Sequence, residues 1–276
     1  MKVDAQVTDK SGRTVPGLTA ADFQIFDDDR PQTIIYFGEE SEPLDLVLLL
    51  DVSGSMHRHL AQLSLTARAA LRQLDAADRT ALMLFARRAE IRAPLKADFR
   101  SVEQALLNAD GTSLGSGTAI NAAIVAAAQY LQKQPARGRR AILIVTDNLS
   151  LNYLVPDEEV MRQLYAADAV LNGILIGKQK RPDPPRPGQF VNPDFTPSHI
   201  FKLAEQSGGA AMEVGKIGDS FARMIERIRA RYSLQYEAPQ SDQDAFHRIR
   251  VELTQDAGLR FHHPAIRARA GYFAAN

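Results

Sequence analysis

Three short segments of this chain carry oxygen-bearing side chains where strands end or helices begin. The first, at 51–55, reads Asp-Val-Ser-Gly-Ser and directly follows an apolar run. The second is Ser-Gly-Thr at 116–118, and the third is Thr-Asp-Asn at 146–148, after another apolar run. Carboxylate and hydroxyl oxygens without sulfur suit a hard divalent cation such as Mg²⁺. The sequence therefore predicts an oxygen-only metal site, provided that the three segments meet.

The two apolar runs indicate how the first and third segments meet. Residues 46–50 and 141–145 contain only leucine, valine, isoleucine and alanine. Uninterrupted runs of this length are typical of strands buried on both faces of a parallel sheet, and they are too short to span a membrane. Parallel strands end at the same edge of their sheet, where open α/β sheets bind ligands. We therefore expect the residues that follow the two runs to lie side by side.

The region 44–231 alternates strand-like and helical stretches, which predicts an α/β fold with a doubly wound, mostly parallel sheet. After the first motif, Leu60, Leu63 and Ala67 recur at helical spacing, so this helix lays one face on the sheet. A loop rich in Gly, Ser and Thr at 112–117 leads to Thr118 at the start of another helix. The strand-then-helix order places Thr118 at the same edge of the sheet as the other two segments.

The two ends of the chain have a different pattern. Residues 3–7 and 249–253 alternate apolar with polar side chains, as half-buried strands do. Small open sheets have exposed edges and little core, so neither end makes a convincing sheet alone. We predict one small β-sandwich formed by both termini, with the α/β domain inserted between them. The chain then divides into 1–43, 44–231 and 232–276.

Three further expectations concern these terminal regions. Asp27, Asp28 and Asp29 are consecutive, and we interpret them as a hairpin turn in preference to a Ca²⁺ site, because Asp accepts local backbone hydrogen bonds in turns. The return strand is predicted at 32–37. The alternation of apolar residues at 259 and 261 predicts a further strand near the C-terminus.

The composition excludes several classes of function. The 33 Lys and Arg residues balance the 33 Asp and Glu residues, so the chain has no net positive charge that would favour binding to nucleic acid or to an anionic membrane. With Cys 0, disulfides, zinc–thiolate sites and thiol nucleophiles are excluded. No apolar run of membrane-spanning length occurs, and the start of the chain lacks the pattern of a signal peptide. We expect no nucleic-acid partner and no membrane insertion.

Five residues together resemble the metal-ion-dependent adhesion site of von Willebrand factor type A domains. That site is an Asp-x-Ser-x-Ser motif with a distant Thr and a distant Asp; here the matching residues are Asp51, Ser53, Ser55, Thr118 and Asp147. The strand and helix order over 45–231 is also similar to that of this Rossmann-like family. The segments at 17–32 and 267–273 resemble the flanks of a bacterial subfamily. Asn148 departs from the pattern, since many members have glycine there.

The resemblance implies a mechanism of recognition. In the family, the two serines and the threonine contact Mg²⁺ or Mn²⁺ directly, and the aspartates act largely through bound waters; Ca²⁺ is a further option. Neutral direct ligands leave the cation electrophilic with one position open. A Glu or Asp carboxylate of a partner protein fills that position. The expected function is an adhesion or scaffold module, extracellular or in the cell envelope, with no catalytic residue and no bond broken.

Two alternative functions remain open at this point. One is an intracellular assembly factor of the cytoplasm that works with a ring-shaped ATPase, and the other is a metal-dependent hydrolase. His57 and His59 follow the first motif, but no G-x-S-x-G elbow is present, so we interpret them as exposed histidines. Gly-Asp-Ser at 218–220 is interpreted as a helix cap. A solvated basic stripe is predicted on the helix that follows, at Arg223, Arg227 and Arg231.

A proline-rich segment at 178–197 follows the predicted strand at 170–176. It should leave the sheet at the same edge as the metal site, and its basic side chains are Lys178, Lys180, Arg181 and Arg186. Two interpretations stand, a tolerated surface insertion and a specificity loop that attracts an acidic partner.

Overall fold

A computed structural model describes residues 1–39, 42–148, 155–177, 188, 199–242 and 244–274. The strands are β1 (Lys2–Thr8), β2 (Phe23–Asp27), β3 (Arg30–Gln32), β4 (Tyr36–Glu39), β5 (Leu44–Asp51), β6 (Arg79–Phe85), β7 (Ala89–Lys96), β8 (Arg139–Thr146), β9 (Ala169–Ile176), β10 (Ala211–Val214), β11 (Tyr232–Gln235), β12 (Phe246–Leu253), β13 (Ala265–Ala268) and β14 (Gly271–Phe273). The helices are α1 (His57–Leu71), α2 (Arg100–Leu107), α3 (Ile120–Gln132), α4 (Asp157–Ala166), α5 (Ile200–Gln206), α6 (Ser220–Arg229) and α7 (Gln255–Arg260).

The predicted α/β sheet is confirmed. Its strand order is β10-β9-β8-β5-β6-β7, and β5 pairs in parallel with both β8 and β6. Every residue of β5 is buried, as its apolar sequence predicts. Only the edge strand β7 of this sheet runs antiparallel to its neighbour. The first motif therefore begins at the carboxyl end of an interior strand.

Helices cover both faces of this sheet, because successive side chains of a strand point to opposite sides. Leu46, Leu48 and Leu50 pack in one apolar cluster with α1, α2 and α6. Val47 and Leu49 pack in the other with α3, α4 and α5. Burial of each such side chain contributes roughly 1.5–3 kcal/mol. The position of the carboxyl edge is thus fixed by two packed layers.

The terminal strands form the predicted β-sandwich, which confirms that part of the fold as well. One sheet has the order β13-β1-β11-β4 and the other β14-β12-β2-β3. Strand β1, from the N-terminal region, lies between the C-terminal strands β11 and β13, and β2 pairs with β12. The two sheets share one core, which includes Val3, Ile25, Leu234 and Tyr236. Neither terminal region supplies a complete sheet of its own.

Two local predictions are wrong. The single return strand predicted at 32–37 is two strands, β3 and β4, which belong to different sheets, so the chain crosses the sandwich between them. The strand predicted at 259–261 is instead helix α7 and the residue after it. The hydroxyl of Thr254 caps this helix by accepting a 3.3 Å hydrogen bond from the backbone of Ala257. A side-chain cap of this kind favours a helical turn over the alternation that suggested a strand.

At the end of helix α6 the chain passes from the α/β domain to the sandwich, and two arginines lie there, Arg229 half-buried and Arg231 buried. Arg229 forms ion pairs with Asp75 and Asp78. Arg231 is only 3% exposed and donates a 2.8 Å hydrogen bond to the carbonyl of Gly208, so the predicted solvated stripe is wrong at this residue. Burial lowers the pKa of Arg231 to about 10.

Among the described helices, none is both long and apolar enough to cross a membrane. The proline-rich segment at 178–197 lies, apart from Gly188, outside the described residues.

Candidate metal site at the sheet edge

The first motif turns away from the sheet immediately after β5. The backbone N–H of Ser53 donates a 2.8 Å hydrogen bond to Oδ1 of Asp51, the local pattern by which aspartate forms a turn. The hydroxyl oxygens of Ser53 and Ser55 are 3.3 Å apart. Asp51 and Ser53 are buried, whereas Gly54 and Ser55 are exposed. The three oxygen-bearing side chains therefore lead from the core to the surface at one point of the sheet edge.

The third segment meets the first through the neighbouring strand. The hydroxyl of Thr146, the last residue of β8, donates a 2.6 Å hydrogen bond to Oδ2 of Asp51. Asp147 follows, half-buried, and its carboxylate is close enough to act electrostatically on that of Asp51. The structure therefore brings together the two aspartates that the sequence predicts at this site.

Thr118 reaches the same edge from the other side of β5. The backbone N–H of Ala119 donates a 2.8 Å hydrogen bond to the carbonyl of Ala86. Ala86 directly follows Phe85, which is paired in register with Asp51. Thr118 itself is buried, 4% exposed, just before α3. All three predicted segments thus lie at the carboxyl edge of the sheet.

The carboxylate of Asp51 is unusual in its electrostatic surroundings. The pKa of Asp51 is raised to about 6, mainly by burial and also by the negative charge of Asp147, although hydrogen bonds from Thr146 and Ser53 oppose the shift. Ionised carboxylates at a buried position are costly unless a positive charge compensates them. A divalent cation beside Asp51 and Asp147 would supply that compensation. The donor set consequently fits a hard cation.

Asn148 explains how the chain tolerates a residue other than glycine after Asp147. Its φ is 59°, in the left-handed region. Asparagine enters this region more readily than other residues with a side chain. Its backbone N–H donates a 3.0 Å hydrogen bond to the hydroxyl oxygen of Thr146. The departure from the family pattern therefore leaves the turn intact.

The residues weighed for hydrolase chemistry have other contacts. Nδ1 of His57 is 3.3 Å from a carboxylate oxygen of Asp110, and Nε2 of His59 accepts a 3.0 Å hydrogen bond from Arg58. Ser220 is buried, and its hydroxyl donates a 2.5 Å hydrogen bond to the carbonyl of Ile217 at the start of α6. The described contacts of these residues therefore form no serine–histidine pair.

Two features of this edge were missed by sequence reasoning. Thr146 was not predicted to act on Asp51, although it belongs to the third segment. Arg87 and Arg88, in the turn between β6 and β7, are exposed, and the N–H of Arg88 donates a 3.3 Å hydrogen bond to the carbonyl of Leu114. This bond places basic side chains beside the loop that leads to Thr118. A double-arginine turn between two strands was the available signal.

Comparisons with known proteins agree with this architecture. Residues 46–149 match the family profile described as the von Willebrand factor type A domain. A search of curated proteins found no match.

Several solved structures share the fold. The conserved hypothetical protein BatB from Bacteroides thetaiotaomicron is 20% identical, with 67% of this chain and 97% of that chain covered and a TM-score of 0.51. Proximal thread matrix protein 1 from the mussel byssus, solved with a zinc-occupied MIDAS motif, is 15% identical, with 75% and 50% covered and a TM-score of 0.55. A von Willebrand factor type A protein from Catenulispora acidiphila is 12% identical, with 91% and 74% covered and a TM-score of 0.50.

Proposed function

We propose that this chain, whose residues 46–149 match the von Willebrand factor type A family profile, binds a partner protein through a divalent cation at the sheet edge. The proposed ligand set, direct or through water, is Asp51, Ser53, Ser55, Thr118 and Asp147. The main observation behind the proposal is the burial and the electrostatic environment of the Asp51 carboxylate. Its carboxylate is fully buried next to a second carboxylate, and its pKa is raised to about 6 by burial and by that neighbour.

The proposed ligands differ in their exposure to solvent, which supports binding of a partner from the solvent side of the site. Asp51 and Thr118 are buried, while Ser55 is exposed and Asp147 is half-buried. A cation held among these side chains would be supported from below by the protein and open to solvent above. The neutral hydroxyls leave it electrophilic, so that an anionic oxygen from outside completes its octahedron. A Glu or Asp carboxylate of a partner protein has the required charge and reach.

Mg²⁺ is the proposed cation, with Mn²⁺ and Ca²⁺ as further candidates. A donor set of oxygen atoms alone favours hard cations such as Mg²⁺. A divalent cation in this kind of motif has a precedent in the mussel protein, whose structure holds zinc there. The role is recognition without bond cleavage, in a location outside the cytoplasm; an assembly factor inside the cell is the alternative.

Metal titration tests the proposal directly. Isothermal titration of the wild-type protein with Mg²⁺ and Mn²⁺ should show one saturable site at the edge, and Asp51→Ala or Asp147→Ala should weaken it by at least about 10-fold. Asp110→Asn is the matched control, because Asp110 is an exposed aspartate whose described contact is His57. Equal affinities in the wild-type protein and Asp51→Ala would contradict the metal site.

Partner binding is tested separately. In a pull-down from cells of the source organism, partners should be captured with Mg²⁺ and released by EDTA, and the Asp147→Ala protein should capture none of them. Capture of the same proteins under all three conditions would refute metal-dependent recognition.

A further inference from the structure

A second group of metal-ligating side chains lies in the β-sandwich, formed by Asp27, Asp28 and His247. Nδ1 of His247 is 2.9 Å from Oδ1 of Asp27 and 3.0 Å from Oδ2 of Asp28. One ligand atom from each residue lies within 4.8 Å of the other two. We propose that these residues bind a second divalent transition-metal ion, at a site separate from the edge of the α/β sheet.

The sandwich topology creates this group from residues far apart in the chain. Asp27 ends β2, and Asp28 begins the tight turn into β3. His247 lies on β12, the strand that pairs with β2. The N–H of Arg248 donates a 3.0 Å hydrogen bond to Oδ1 of Asp28, and the N–H of Asp28 donates a 2.9 Å bond back to the carbonyl of Arg248. One oxygen of Asp28 is therefore held by the backbone while the other faces the imidazole.

Asp27 is oriented by two tyrosines. Its Oδ2 accepts hydrogen bonds from the hydroxyls of Tyr236, at 2.6 Å, and Tyr272, at 2.9 Å. Burial, together with the bond to Asp27, raises the pKa of both phenols, so they remain neutral donors. Their bonds leave Oδ1 directed at His247. Partners of this kind around a ligating carboxylate fix its orientation and tune its affinity for metal.

The distances between the three ligands are compatible with an octahedral ion. Adjacent ligands on an octahedral ion with bonds of about 2.1 Å are about 3.0 Å apart, whereas tetrahedral ligands are about 3.4 Å apart. The separations of 2.9 Å and 3.0 Å around Nδ1 of His247 fit octahedral edges, and they are also ordinary N–H···O hydrogen-bond lengths. Water would fill the remaining positions, since the side chain of Asp28 is 49% exposed. The site is thus open on one side.

The ligand types select the class of ion. An imidazole nitrogen together with carboxylate oxygens suits Mn²⁺, Co²⁺, Ni²⁺ or Zn²⁺, while Mg²⁺ and Ca²⁺ prefer oxygen alone. A divalent charge would also balance the two carboxylates, one of them fully buried. The alternative is that no metal binds here. In that case a proton on Nδ1 of His247 would hold the same three residues together by hydrogen bonds alone. The experiment must therefore distinguish a metal from a proton.

Binding here would tie the two ends of the chain together. Asp27 and Asp28 belong to the N-terminal region and His247 to the C-terminal region, 220 residues apart for the first pair. Because the three ligands meet only in the folded sandwich, an ion that binds them stabilises the folded state. The ion would act on the sandwich, not on partner recognition at the sheet edge.

Co²⁺ is a suitable probe because its visible absorption bands shift and intensify when protein ligands replace water. The background variant carries Asp51→Ala and Asp147→Ala, which remove the proposed site at the sheet edge. We expect this protein to bind one equivalent of Co²⁺, with visible bands that shift from those of the aqua ion, and its Co²⁺ affinity to fall by at least about 10-fold on Asp28→Asn or His247→Gln. The expected stabilisation is a higher melting temperature with Co²⁺, which the same substitutions abolish.

Matched controls keep the result specific. Asp29→Asn changes the neighbouring turn residue, which is exposed and pairs with Arg250, and should leave Co²⁺ binding unchanged. Asp28→Asn preserves the size of the side chain and suits its φ of 46°, so this variant tests the ligand without disrupting the turn. Absence of saturable Co²⁺ binding in the background variant, or binding indifferent to both Asp28→Asn and His247→Gln, would show a network held by protons only.

Discussion

The hydroxyl of Thr146 donates a 2.6 Å hydrogen bond to the buried carboxylate of Asp51, across the ends of two neighbouring parallel strands. The same oxygen accepts a 3.0 Å bond from the backbone N–H of Asn148. Thr146 therefore fixes one oxygen of Asp51 and, at the same time, the turn that carries Asp147. It supports the proposed site without being one of the proposed ligands.

Replacing Thr146 by valine should damage the site while preserving the shape of the side chain. The substitution removes the donor to Asp51, and losing a hydrogen bond to a buried charged group costs about 1–3 kcal/mol. Mg²⁺ affinity should fall by roughly 10-fold, as for other residues that orient a ligand. Titration calorimetry and urea unfolding measure the two effects. Thr146→Ser keeps the hydroxyl and should restore most of both; a valine variant with unchanged affinity would contradict this role.

The pKa of Asp51 predicts how stability depends on pH without metal. Because burial raises it from 3.8 to about 6, the folded protein binds more protons than the unfolded chain between these values. Stability should therefore fall as pH rises from about 4 to 6, by up to about 3 kcal/mol, and this contribution should be constant above that range. Asp51→Asn should remove the effect, so the difference between the two proteins isolates it from other groups.

Mg²⁺ should counteract the loss of stability that Asp51 causes as the pH rises. The cation binds the ionised carboxylate, so the rise in melting temperature on adding Mg²⁺ should grow as pH increases towards about 6 and then level off. The Asp51→Asn protein should show almost no rise at any pH. Thermal denaturation from pH 4.5 to 8, with Mg²⁺ or with EDTA, measures this. A Mg²⁺ effect that is equal at both ends of the range would count against Asp51 as the titrating group.

The ion pair between Arg229 and Asp78 should matter more than the exposed pairs of the same helix. The Asp78 side chain is 1% exposed, and that of Arg229 is 19% exposed. Asp78 also accepts a 2.9 Å hydrogen bond from the N–H of Leu44, the first residue of β5. Arg229→Met leaves this carboxylate buried without its partner, which typically costs about 3–5 kcal/mol.

Urea unfolding of Arg229→Met tests that expectation against a matched variant. Arg223→Met removes another arginine of α6, whose pair with Asp219 is exposed on both sides, at 57% and 74%. Its cost should stay within about 1 kcal/mol. Equal losses of stability in the two variants would mean that burial of the Asp78 pair has no special effect.

The sequence predicted those features that depend on local patterns and on the strand–helix order. The apolar runs before Asp51 and Asp147 identified two interior strands, and the α/β order placed Thr118 at their edge. The hydrogen bond from Thr146 was not predictable in this way, since it joins residues 95 positions apart. The contact of Asp27 with His247 depends on strand pairing across 220 positions. The burial of Arg231 likewise follows from how the sandwich packs, which helical spacing does not reveal.

The division into 1–43, 44–231 and 232–276 remains a proposal, and the strand pairing of the sandwich gives it a sharp test. Strand β1 lies between β11 and β13, and β2 pairs with β12, so the N-terminal segment should stay bound after its covalent link to the α/β domain is cut. A recognition site for a sequence-specific protease, inserted between residues 40 and 41, allows that cut. We expect the two fragments to co-elute in gel filtration under native conditions.

The same digest should separate into two species in urea, and the cut protein should bind Mg²⁺ with the affinity of the uncut protein, because the proposed ligands lie within 44–231. A matched variant, Leu234→Asp, places a charge in the shared core, where the side chain is fully buried. After cleavage this variant should release the N-terminal fragment without denaturant, since an unpaired buried charge is costly. If the unmutated fragment separates freely under native conditions, the two termini do not form one folded unit and the proposed division is wrong.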